Sequence, residues 1–296
     1  MKRVEIPLIK NEERNDGKSK LNNSVLDKSI FETVSIDELY DKFNNQQEFS
    51  RQDLISLYNI YHTRPVLTTE EEGLVVLILS HRIKIQKYDI AKIFNCKIDE
   101  ITYSNKDLLQ SPDKYVVLLD NLDFSISQHY PKLKYVKGSV TFYGTKLEQN
   151  NLPSLEVIGG HAYFDKVTTS KYLDNLKVIC GHAYFGELTD ATFLKNLTYI
   201  GWNADFKWLT NSDGLNNLTH IGGIADFRNL TETNNLYHLT YIGKNAYFNK
   251  INDTYGLQSL LYLGGESFFN PSINKTSLEA LRVRLNTDIY HRKKVK

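Results

Sequence analysis

The stretch Leu155-Glu-Val-Ile-Gly-Gly-His-Ala-Tyr-Phe164 returns 21 residues later as Leu176-Lys-Val-Ile-Cys-Gly-His-Ala-Tyr-Phe185. The same frame restarts at Leu197, Leu218, Leu239 and Leu260. A looser copy begins at Leu133, with one extra residue before Leu155, and a short degenerate copy runs from Leu118 to Phe124. A fixed period of this size marks stacked repeats, each too small to close a core alone.

Reading down the columns separates inside from outside. Leu155, Ile158, Phe164, Val167 and Leu173 head columns that stay apolar from copy to copy. The column Ala162, Ala183, Ala204, Ala225, Ala246 stays small, becoming Val140 and Ser267 only at the ends, as a narrow cross-section requires. From Gly160 to Phe164, outward and inward residues alternate with the period of a β-strand. One strand per repeat implies a parallel stack, because a βαβ crossover needs roughly 30 residues or more. Each repeat would add about six apolar side chains to a shared core, at roughly 1.5–3 kcal/mol for each one fully buried. The expected fold is α+β: a small helical domain at 35–108, a parallel β-solenoid at 115–273, and a capping helix at 276–290.

The corners are legible too. Gly159, Gly201, Gly222, Gly243 and Gly264 recur after the Ile column, where the chain must bend sharply or take a positive φ. Cys180 replaces glycine in one copy and reads as an unreactive corner residue. Thr168, Thr189, Thr210 and Thr231, with Asn252 in the next copy, form a polar column suited to bonding turn backbone or the next rung.

The copies Leu-Thr-Tyr-Ile-Gly-x-Asn-Ala-x-Phe at Leu197 and Leu239 resemble the leucine-rich repeat superfamily, above all its bacterial surface-antigen and receptor-L-domain-like variants. The resemblance covers over half the chain and implies a solenoid that binds other macromolecules. Two departures, Ala and Phe where Leu is customary and no asparagine ladder at the strand's end, imply a straighter, β-helix-like stack.

The outward strand columns are the candidate binding surface. One runs Ser139, His161, His182, Asn203, Ile224, Asn245, Glu266; its neighbour runs Thr141, Tyr163, Tyr184, Asp205, Asp226, Tyr247, Phe268. Rungs about 4.8 Å apart stack equivalent residues, so the face is an aromatic strip with Asp205 and Asp226 at its middle. The expected role is a non-enzymatic scaffold for a protein or peptide partner. Two histidines without a third ligand give no metal site, and no cofactor is expected. A minor alternative pairs Asp205 and Asp226 as carboxylates acting on a carbohydrate held by the tyrosines. Another aromatic column, Tyr135, Val157, Val178, Tyr199, His220, Tyr241, Tyr262, two places after the repeat's first Leu, reads as cover for the edge of the core. Asn196, Asn217, Asn229 and Asn252 head glycosylation-type triplets that the repeat itself generates.

The flanks differ. Residues 1–30 are polar and aperiodic, a tail by composition. Ser35 and Ser50 read as helix N-caps with acidic first turns, and Thr68 as a third before the apolar run Leu74–Leu79. This helical domain is expected to close the first rung. Within it, 88–103 fits a helix-turn-helix with Asn95 in the turn, which gives the alternative of a DNA-binding regulator. Asp99 and Glu100 stand where phosphate contacts would be wanted, and the first 108 residues carry 16 Lys/Arg against 18 Asp/Glu. Thr276-Ser-Leu-Glu279 reads as a capping box for a helix presenting Leu278, Leu281, Leu285 and Ile289.

With 296 residues, 41% hydrophobic and 24% charged, and a net charge of +1, the chain has the composition of a folded protein. It has no run of roughly 18 apolar residues for a membrane helix and no secretory signal at the N-terminus, so a cytoplasmic location is expected. Its two cysteines, Cys96 and Cys180, are too few for a disulfide framework.

Overall fold

The computed structural model describes residues 34–45, 47–54, 56–57, 86–147, 151–285 and 290–291. The expected tail at 1–30, the Thr68 cap, the apolar run at 74–79 and Ile289 lie outside them. The chain forms a parallel β-solenoid of about seven turns, with helices at both ends.

Each repeat contributes two short strands where the periodicity predicts one. The pair before the glycine corner, such as Val157–Ile158, joins sheet A; the pair after it, such as Ala162–Tyr163, joins sheet B. Both sheets are nine-stranded and parallel throughout. The register advances by one repeat per rung, Tyr199 pairing with His220 and Ala204 with Ala225. The alternation before the corner spans only two residues, too few to register as a strand in the sequence.

The apolar columns meet in one continuous core. Phe164, Phe185, Phe206, Phe227 and Phe248 are all at most 1% exposed, with successive ring centroids 5.4, 5.4, 5.5 and 5.5 Å apart. The alanine column is equally buried, facing inward into the packed core. The corner glycines do not use left-handed backbone: among the described residues the positive-φ glycine is Gly214, in a different turn. They are small because rungs approach closely, so that a Cβ on Gly201 would stand 2.0 Å from the Cys180 carbonyl oxygen.

Helix α1 (Ile36–Asn44) starts at Ser35, whose Oγ accepts the Glu38 N–H at 3.1 Å. The next helical segment begins at Ser50 with a reciprocal cap, Asp53 N–H to Ser50 Oγ at 3.1 Å and Ser50 N–H to Asp53 Oδ2 at 2.8 Å. Helix α2 (Gln86–Phe94) ends at Asn95, which takes φ +48° in the turn. No second helix follows. Ile98–Glu100 form a 3-10 turn closed by the Lys97 N–H on Glu100 Oε2 at 2.7 Å, and Ile101–Thr102 become the first strand of sheet A. Ile101 is apolar because it joins the contact between helices and sheet, so 88–103 is not a helix-turn-helix.

Nor does the helical region simply close the end of the stack. Leu39, Leu57, Ile90, Ile93 and Phe94 pack sideways on the outer face of sheet A, against Val117, Tyr135 and Val157. The end of the core is reached instead by Leu108 of helix α3 (Asn105–Gln110). At the far end, helix α4 (Lys275–Leu285) buries Leu278, Leu281 and Leu285 over the last rung. Its cap is Asn274, whose Oδ1 accepts the Ser277 N–H at 3.1 Å, two residues before the expected Thr276 box. Residues Tyr290–His291, expected within that helix or just beyond it, add the final strand of sheet B.

Candidate functional site

The outer face of sheet B carries the predicted residues. Its two outward columns stand side by side, and the strand register stacks each column rung on rung. Tyr163 stacks on Tyr184 with centroids 5.1 Å apart and planes 8° from parallel; Tyr247 stacks on Phe268 at 4.8 Å and 6°. All four rings are half-buried. Two aromatic blocks therefore flank a charged middle.

The middle is internally paired. Asp205 Oδ2 accepts from Lys207 Nζ at 3.0 Å, and Asp226 Oδ1 accepts from Arg228 Nε at 2.8 Å, with a second contact from Arg228 Nη2 to Asp226 Oδ2. Each base stands in the turn that follows its strand, where the acid's Oδ1 also accepts the backbone N–H two residues on, Lys207 to Asp205 and Arg228 to Asp226, both at 3.3 Å. The bonds to Asp226 raise the Arg228 pKa above the ordinary guanidinium range. Arg228 also lies over the Tyr247 ring, 5.8 Å from its centroid. Each carboxylate thus has a cationic partner in its own rung. Lys207 and Arg228 were not singled out in the sequence, although the spacing Asp-Phe-Lys and Asp-Phe-Arg held the signal.

The histidine and asparagine column is a hydrogen-bonded ladder. Ser139 Oγ accepts the His161 N–H at 3.0 Å, His161 Nδ1 the His182 N–H at 2.9 Å, His182 Nδ1 the Asn203 N–H at 3.3 Å, and Asn203 Oδ1 the Ile224 N–H at 2.9 Å. Asn245 does the same for Glu266 at 3.0 Å. A polar ladder missing from its customary place is therefore present at the corner, with imidazole standing in for carboxamide. Burial, then the neighbouring His161, then Lys244 lower the His182 pKa. Trp202 extends this edge, its ring 5.5 Å from His182 and its face under Lys244 Nζ at 5.7 Å.

Among the described residues no cluster of metal-ligating side chains forms, and no helix is long and apolar enough to cross a membrane. Burial pushes the Cys180 thiol up to about 12 and the Cys96 thiol to about 11. Three of the four glycosylation-type asparagines are structural: the Nδ2 groups of Asn196, Asn217 and Asn229 donate to carbonyls of the preceding rung, at 2.5, 2.6 and 2.6 Å. Comparison of the chain with protein-family models, with curated proteins and with solved structures finds no match.

Proposed function

We propose that the chain is a leucine-rich-repeat-type scaffold that binds a protein partner through the outer face of sheet B, without catalysing a reaction. The repeat Leu-Thr-Tyr-Ile-Gly-x-Asn-Ala-x-Phe supports the family reading. The observation that carries the binding role is the pair of stacked blocks, Tyr163 on Tyr184 and Tyr247 on Phe268, either side of locked ion pairs. Rings already held by their neighbours lose little freedom on binding, which favours them as anchors. A sugar would stack on a ring face, and in these blocks the faces between rungs are already taken by the next ring, so protein is favoured over carbohydrate. Cys96 and Cys180 as free thiols fit a cytoplasmic setting.

The test is quantitative affinity enrichment from the source cell with three proteins: the unmodified chain, the double variant Tyr163→Ser/Tyr184→Ser, and Asp205→Asn/Asp226→Asn. The tyrosine variant is expected to lose at least tenfold of a specifically enriched protein, while the aspartate variant retains it within a few fold. Equal enrichment by the tyrosine variant would remove the role assigned to this face.

A further inference from the structure

The tyrosine column of sheet B begins two rungs before its first ring. The register pairs Asp123 with Thr141 and Thr141 with Tyr163, and each lies between two inward residues of its rung, so all three point outward on one line. Tyr163 has one ring face covered, by Tyr184 at 5.1 Å and 8°. His161, two residues back in the same strand, stands beside the ring at 5.7 Å with its plane turned by 68°. The opposite face of Tyr163 looks back over Thr141. That side chain is short, and with rungs about 4.8 Å apart it leaves a gap one side chain deep between Asp123 and Tyr163.

The far block shows how such a face is closed from within the chain. Tyr247 stacks on Phe268 on one side, and on the other lies Arg228, 5.8 Å from the ring centroid and bonded to Asp226 one rung back. Asp123 belongs to the same column as Asp205 and Asp226 but has no base in its rung. Two places on stands Ser125, whose N–H is bonded to Gln128 Oε1 at 2.7 Å, where the later rungs carry Lys207 and Arg228. Asp123 is exposed, and among the described residues no ion pair reaches it. Tyr143, two places after Thr141, borders the gap and is 65% exposed.

We propose that the gap over Thr141 receives an arginine side chain of the protein partner, its guanidinium on the free face of Tyr163 and its N–H groups donating to Asp123, an assignment that rests on sheet B being the binding face. The charge and shape of the gap select this group. A guanidinium is planar, is attracted to the face of a phenol ring, and bonds a carboxylate through two N–H groups at once. An ammonium supplies the charge without the plane. A carboxylate would be repelled by Asp123, and a neutral ring would strip water from Asp123 without giving it a partner.

The probe is a phage-displayed library of random 12-residue peptides selected on the full chain, with the recovered peptides synthesised and titrated by fluorescence anisotropy. The expected result is a dominant family that shares one invariant arginine. Its binding should weaken at least fivefold with Asp123→Asn, with Tyr163→Ser, or with glutamine in place of the peptide's arginine, and at least threefold with lysine there. Thr141→Tyr fills the gap with a ring that continues the stack, and should abolish binding while leaving the thermal midpoint unchanged or raised. Circular dichroism and the thermal midpoint establish that each variant is folded. Peptides that lose binding with Tyr184→Ser but are indifferent to Asp123→Asn or Thr141→Tyr would overturn the arginine site and leave sheet B as the binding face. A lysine peptide as tight as the arginine one would also overturn it, in favour of a site for any cation. Peptides indifferent to every substitution on sheet B, or a selection that recovers none, would remove both the arginine site and the binding face.

Discussion

The backbone N–H of His182 points at the imidazole Nδ1 of His161 from 2.9 Å, so His161 carries its proton on Nε2. His182 serves Asn203 in the same way, at 3.3 Å. Asn203 itself continues the ladder with a carboxamide. His182→Asn therefore keeps an acceptor and should be nearly neutral, whereas His182→Ala leaves the Asn203 N–H without its partner and should cost about 1 kcal/mol. Urea unfolding midpoints of the two variants check this, and equal midpoints would refute it.

His220 sits between Tyr199 and Tyr241, and burial lowers its pKa from 6.5 to about 4. Between those values the unfolded chain binds more protons than the folded one, so the contribution is present at neutral pH and is lost as pH falls. The expected loss from pH 6.5 toward pH 4 is about 2–3 kcal/mol. His220→Phe should remove that part of the dependence. A variant whose stability profile over this range matches that of the unmodified chain would contradict it.

Ser267 closes the alanine column, is fully buried, and its Oγ has no hydrogen-bond partner among the described residues. Ser267→Ala restores the residue used in the inner repeats and should stabilise the chain by about 1 kcal/mol. A fall in the thermal midpoint would count against this account.

At Gly222 a Cβ would stand 2.1 Å from the Gly201 carbonyl oxygen. Gly222→Ala must push two rungs apart and should cost more than about 2 kcal/mol. The reporter is again the thermal midpoint, and a shift within a degree or two would mean that the corner has slack.

Residues that repeat were readable in advance. The columns through Phe164, Ala162 and Ile158 were assigned inward from period alone, and all are buried. What period cannot convey is contact between unlike elements. Tyr135 looked like a cover for the core edge, and only tertiary structure shows Phe94 stacked on it. Ile101 carried no sign that it would leave a helical pattern for a strand, because a two-residue strand has no periodicity. In the candidate site the aromatic rows were legible. The locking of Asp205 by Lys207 and Asp226 by Arg228 needed the turn after each strand, which returns the residue two places on to the acid.

Those in-rung pairs also bear on how fast anything can arrive. Asp205 with Lys207, and Asp226 with Arg228, are near-cancelling dipoles rather than a field of one sign. Such an arrangement projects little potential beyond a Debye length of about 8–10 Å. Capture at sheet B should then proceed without long-range steering, its association rate constant almost flat between low and physiological ionic strength.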